Sequence, residues 1–178
     1  MAQRDLVLLH PAARRLVGAW LSDWEERHPG TILLVTCTLR EATEQAILYR
    51  QNRTRRQIEW MARRLEARGL PKYAEILRLA PPQPGPPPRT KITKAGPGTS
   101  YHQSFLLDGE RGALATDFVP LVHGKAGWNE RELIREAGEL AEARGLTWSG
   151  RWGWESVHVQ YDDGGRLDPW GLARGDFA

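Results

Sequence analysis

A chain of 178 residues, 40% hydrophobic and 26% charged, is long enough for one core of ordinary size, and its composition is neither disordered nor fibrous. The single cysteine, Cys37, excludes an intramolecular disulfide framework and a thiolate zinc cluster, so a metal would have to rest on imidazole and carboxylate. The excess of 25 basic over 22 acidic side chains gives a net charge of +3 and a pI near 9.3, which suits a polyanionic partner such as cell wall or nucleic acid and equally an ordinary solvated surface.

The apolar run near the N-terminus, Leu6 to Leu9, is far shorter than a signal-peptide core, and no later segment approaches the length of a membrane span. A chain made in the cytoplasm, without a signal peptide or membrane insertion, is expected. Leu16, Trp20 and Trp24, with Val17 and Leu21 beside them, repeat at helical spacing after Pro11, and His28-Pro-Gly ends the run. Thr31 to Leu39 is β-branched and apolar without a breaker, the pattern of a largely buried strand. Arg40 closes it, and Ala42, Ala46 and Tyr49 begin a second helix, which puts Arg40 at a strand-to-helix junction.

Helical spacing returns at Ile58, Ala62 and Leu65, closed by Gly69, and a short helix follows from Pro71 through Leu79. These two read as an inserted helical pair over about residues 55–80. Pro81 to Pro88 reads as an extended polyproline loop. Lys91 to Ala95 is a strand candidate. Ser104 to Leu107 and Ala113 to Val119 then read as the two arms of a hairpin around Asp108-Gly-Glu-Arg-Gly112. Leu133, Ala137, Leu140 and Ala141 mark a helix that Gly145 stops, Val157 to Tyr161 is a last strand, and the tail of about residues 162–178 is expected to be loosely ordered.

Glu155 precedes His158 by three residues, so a tight turn entering a strand can aim a carboxylate and an imidazole at one point. A hydrolytic zinc site needs that pair: imidazole ligates, and a carboxylate outside the ligand set accepts a proton from water. Taken alone the pair is weak, since a surface glutamate near a half-buried histidine is the commoner case. His10, His28 and His123 adjoin proline or glycine and read as surface or capping residues.

An ordered series carries more. Thr36-Cys-Thr-Leu-Arg40 with the helix to Thr54, Gly98-Thr-Ser-Tyr-His102-Gln, Ala113-Leu-Ala-Thr-Asp117-Phe, His123-Gly-Lys-Ala-Gly-Trp128, Trp148-Ser-Gly-Arg-Trp152 and Glu155-Ser-Val-His158 together resemble the zinc peptidases of the D-alanyl-D-alanine carboxypeptidase family. The resemblance is greatest to its phage-type L-alanyl-D-glutamate endopeptidase branch and covers roughly residues 31–161. It implies a single α+β catalytic domain over residues 1–178, with a small, mainly antiparallel sheet flanked by helices. It implies Zn2+ held by His102, Asp117 and His158, with Glu155 as general base and then acid. Arg40 would polarise the scissile carbonyl and steady the oxyanion, with Gln45 and Ser100 supporting the cleft.

The family separates its histidine and aspartate ligands by seven residues, whereas His102 and Asp117 are 117 minus 102, or fifteen, apart. Asp108 lies nearer the family spacing but opens an Asp-Gly turn; Asp117 ends an alternating strand, so the hairpin is expected to set it beside His102 and Asp117 is preferred. A structural ion pair of Arg40 with Glu44, four residues on, is the competing reading of that arginine. Trp148, Trp152 and Trp154 crowd the base, some as a groove wall for peptide and sugar and at least one as core.

The expected function is hydrolysis of the peptidoglycan stem by a phage or prophage endolysin. It would act as a monomer on the cell wall after release, with a separate membrane-permeabilising protein for export. A D-alanyl-D-alanine carboxypeptidase or dipeptidase and a metal-free wall-binding module are the alternatives. A nucleic-acid binder ranks below both, because no binding motif accompanies the charge.

Overall fold

The computed structural model describes residues 3–81 and 93–175. Among them the chain forms an α+β arrangement of six α-helices, a five-stranded antiparallel sheet and a two-stranded hairpin. The first helix, α1 (Pro11–Arg27), starts where expected, with Pro11 in its first turn and His10 as its cap. The backbone N–H of Ala12 donates to His10 Nδ1, while His10 Nε2–H donates to the Leu107 carbonyl at 3.0 Å. His10 is therefore a capping residue, as expected, but a buried one.

The sheet contains β1 (Ile32–Cys37), β4 (Ala115–Val122), β7 (His158–Gln160) and β6 (Thr147–Trp148) in that order, with the short β5 (Lys125–Ala126) also paired to β4. Because β1 lies at the edge, it is only half-buried. Leu33 and Cys37 are buried and Ile32 is exposed, where the unbroken apolar run had suggested a largely buried strand. Side chains alternate across β4. Phe118 packs edge-on against Trp20 of α1 at 5.0 Å between ring centroids, and burial of a side chain of that size contributes about 1.5–3 kcal/mol. Asp117, one residue earlier, faces the other way.

Helix α5 (Arg131–Ala143) covers the same core as α1, and the indole N–H of Trp20 donates to its Ala137 carbonyl at 2.8 Å. Helices α2 (Ala42–Arg50), α3 (Arg55–Ala67) and α4 (Pro71–Leu79) enclose a second apolar cluster around Ala46, Met61, Leu65 and Leu77. The latter two helices are the pair expected from the sequence.

Three expectations differ from the structure. The arm β2 (Phe105–Leu107) pairs with β3 (Glu110–Gly112), not with β4. The turn between them is the two-residue Asp108-Gly109, both residues at positive φ (52° and 80°), which closes a tight hairpin at once and leaves no reach to Ala113. The tail is not loose through residue 175: α6 (Pro169–Arg174) is capped by the Asp168 carboxylate on the Gly171 N–H, and Leu167 and Leu172 are buried. Residues 93–95 are not in a strand. Lys91 and nearly all of the proline-rich stretch, 82–88, lie outside the described residues, as do residues 176–178 of the tail.

Candidate functional site

His102, Asp117 and His158 meet on the face of the sheet opposite the α1–α5 core. Asp117 and His158 are direct partners in the β4–β7 register, so their side chains share a face by pairing alone. His102 arrives from the turn before β2. Its carbonyl accepts from the Arg40 N–H at 2.8 Å, and the Tyr101 carbonyl accepts from the Leu114 N–H at 2.8 Å, which ties the turn to the end of β1 and the approach to β4.

The three functional atoms form a nearly equilateral triangle. His102 Nε2 lies 3.0 Å from Asp117 Oδ1 and 3.1 Å from His158 Nδ1, and His158 Nδ1 lies 3.1 Å from Asp117 Oδ1. The far nitrogens are already committed. His102 Nδ1–H donates to the Thr38 carbonyl at 3.0 Å, and His158 Nε2–H donates to Gln160 Oε1 at 3.1 Å, whose own amide donates to Asp162 Oδ2 at 3.1 Å. In these tautomers both inward nitrogens present lone pairs, and the carboxylate presents another. Three acceptors at that spacing repel unless a cation or a shared proton lies among them. The buried group of Cys37, His102, Asp117 and His158 is one that could bind a metal ion.

Within the group the roles differ. Cys37 Sγ sits 3.6 Å from His102 Nδ1, the nitrogen turned to Thr38, and within 4.8 Å of an Asp117 ligand atom. Burial pushes its thiol up to about 12, so it packs as a neutral thiol. Burial works against ionisation of Asp117, yet the two imidazoles outweigh it and hold the carboxyl well below its usual range. Burial keeps His102 below the ordinary histidine value. His158 is also penalised by burial, but Asp117 more than compensates and raises it.

Glu155 stands on the segment entering β7, and its carboxylate lies within 4.8 Å of the Asp117 and His158 ligand atoms. Burial raises its pKa, with the neighbouring His158 pulling the other way. Among the described residues it makes no hydrogen bond, so its carboxylate is uncommitted. The Arg40 guanidinium binds Asp117 Oδ2, on the side away from the histidines. The expected junction is there, and the ion pair formed is with Asp117.

All five residues line one cavity of about 510 Å3. Trp152 and Trp154 stack at 5.4 Å on its rim, Trp152 tilts over His158 at 5.6 Å, and Lys94 Nζ sits 4.1 Å above the Trp154 ring. Trp148 is core: it is buried, its N–H donates to the Ser156 carbonyl at 2.7 Å, and Gly138 and Gly150 leave room for its ring. A Cβ on either glycine would approach the indole to 2.1 Å.

The other sequence-derived candidates fall elsewhere. Asp108 occupies the β2–β3 turn tip and His123 the β4–β5 turn, also at positive φ. His28 stacks on Trp24 at 3.9 Å and pairs with Glu136 at 3.1 Å. Ser100 lines the cavity, and Gln45 pins the segment at its edge by donating to the Ala95 carbonyl at 2.8 Å. Sequence reasoning missed Gln160 and Asp162. The period of two along β7 was the available signal, because Gln160 shares a strand face with His158.

No protein-family model matches the chain, and a search of curated proteins finds no match to it.

Proposed function

We propose that this chain is a zinc-dependent hydrolase of the peptidoglycan stem peptide, cutting the L-alanyl-D-glutamate bond in the manner of a phage or prophage endolysin. The triangle of two imidazole nitrogens and one carboxylate oxygen, with edges of 3.0–3.1 Å, carries this reading. Ligand atoms around a tetrahedral zinc with bonds of about 2.0–2.1 Å lie roughly 3.3 Å apart, and two imidazoles with one carboxylate is a ligand set that leaves a fourth position open. His102, Asp117 and His158 would hold the ion, which when bound supplies Lewis acidity that polarises a carbonyl and makes water a stronger acid.

The chain's own residues do the rest. Glu155, close by, with its carboxyl raised above the ordinary value by burial and without a hydrogen bond among the described residues, takes up a proton from water and returns it to the leaving amine. Arg40 holds the outer oxygen of Asp117 and, lining the same cavity, sets positive charge where the carbonyl oxygen becomes negative. The stacked indoles of Trp152 and Trp154 offer flat apolar faces to the substrate.

The test combines metal analysis of the purified protein with mass spectrometry of fragments released from purified cell wall, with and without chelator. One zinc per chain and chelator-sensitive release of L-alanyl-D-glutamate cleavage products are expected. Release of D-alanine alone would move the activity to a carboxypeptidase, and an intact wall with zinc-loaded protein would overturn the reading.

A further inference from the structure

A second cavity, of about 730 Å3, opens along α2 and α3 and shares Lys94 with the metal cavity. Arg53, Arg56, Arg64 and Lys94 line it, and no Asp or Glu does among the described residues. Several arginines elsewhere on the surface are neutralised. Arg63, Arg78, Arg135, Arg144, Arg151 and Arg166 each hold a carboxylate. Among the described residues, none of the four around this cavity is in a salt bridge.

Three of the four meet aromatic rings instead. Arg53 lies 3.7 Å over Tyr49, Arg64 lies 5.4 Å over Trp60 and 5.1 Å over Trp170, and Lys94 caps Trp154. Trp60 is 58% exposed on this wall. A cation on an aromatic face is ordered without being neutralised. The ridge between the two cavities is also fixed, since Arg53 donates to the Thr93 carbonyl and Gln45 to Ala95. Lys94, which lines both cavities and caps the Trp154 ring, links them with a positive charge.

We infer that this second cavity binds a carboxylate-bearing stretch of the same polymer whose scissile bond lies at the metal centre. The inference rests on the proposed hydrolase reading for the identity of that polymer. Continuity through Lys94 favours a segment of the substrate over a separate ligand, and unneutralised guanidinium groups suit carboxylates. Trp60 gives such a chain an apolar face to lie on.

The experiment uses Glu155→Gln protein, so that nothing is cleaved, and poly-glutamate as the probe, with binding followed by calorimetry at low and high salt. Binding that weakens with salt is expected, with about a tenfold loss in Arg56→Glu/Arg64→Glu. Arg63→Glu/Arg166→Glu, an equal change in net charge at paired arginines, should lose far less. Equal losses in the two double variants, or no binding at all, would overturn the inference. So would displacement of poly-glutamate by a single-stranded oligonucleotide at much lower concentration, which would make the cavity a nucleic-acid groove. Poly-glutamate binding with no wall cleavage by the unmutated enzyme keeps the cavity assignment and removes the hydrolase. Wall cleavage with KM unchanged in Arg56→Glu/Arg64→Glu removes the cavity assignment alone.

Discussion

His158 and Gln160 share a face of β7, and the amide oxygen of Gln160 accepts the proton that His158 would otherwise be free to place on either nitrogen. Asp162 orients that amide from behind. The tautomer of a histidine in the proposed ligand set is thus set by a residue outside that set.

Gln160→Leu should keep the fold and weaken zinc binding by roughly 10–100-fold, the usual scale for a partner behind a ligand. Competition with a chromophoric chelator measures it. Unchanged affinity would mean that His158 Nδ1 is held by the β4–β7 pairing alone.

Asp117→Asn removes the carboxylate that touches both imidazoles and Arg40. Its zinc affinity should fall by more than the roughly 100-fold of an outer partner. Asp108→Asn, at a turn tip whose positive φ asparagine also accepts, should change neither affinity nor activity. Loss of zinc in the Asp108 variant would contradict the ligand set.

Glu155→Gln should retain stoichiometric zinc and lose turnover by roughly 10²–10⁴-fold. On the proposed role, the unmutated protein should carry a pH signature as well. A base must be deprotonated to act, and burial raises the Glu155 pKa; activity therefore falls with decreasing pH through a pKa above the ordinary glutamate value of about 4.3. An acid limb at or below that value would assign the proton to another group.

Arg40→Ala tests whether the guanidinium serves the substrate, the ligand or both. Because it grips Asp117, zinc affinity and kcat should fall together, whereas an arginine touching substrate alone would leave zinc affinity intact.

Gly138→Ala places a methyl group 2.1 Å from the Trp148 ring. The α5 backbone cannot yield cheaply, so about 1–3 kcal/mol of stability should be lost, read by urea denaturation. Trp148 also tethers Ser156, next to Glu155, so kcat should drop at temperatures where the variant remains folded.

The helices were legible because their apolar residues repeat cleanly: Val17, Trp20 and Trp24 in α1, and Ala137, Leu140 and Ala141 in α5, are buried as their spacing requires. The α+β class was expected from the resemblance, and the helical and β-branched runs along the chain were consistent with it. Strand partnership was less legible. Ser104 to Leu107 and Ala113 to Val119 are both good strands in isolation, and only the two-residue turn geometry at Asp108-Gly109 decides that the first is used up by β3. Asp117 and His102 do meet, but through β4 pairing with β7 and a turn anchored on Thr38 and Arg40. That is long-range information which no local window contains. The last helix was missed because Gly and Asp dominate residues 162–168, although Asp168-Pro169 is a sound helix start.

His102, Asp117 and His158 span separations of 15, 41 and 56 residues along the chain. An ion held by all three would cross-link the His102 turn, β4 and β7, and it would bind the folded chain far better than the unfolded one. By mass action, free metal at 1,000 times its dissociation constant adds about 4 kcal/mol to folding stability. Zinc supply would then govern how long the molecule survives as well as how fast it works, and a chelator would lower its melting temperature before a single bond in any substrate is at stake.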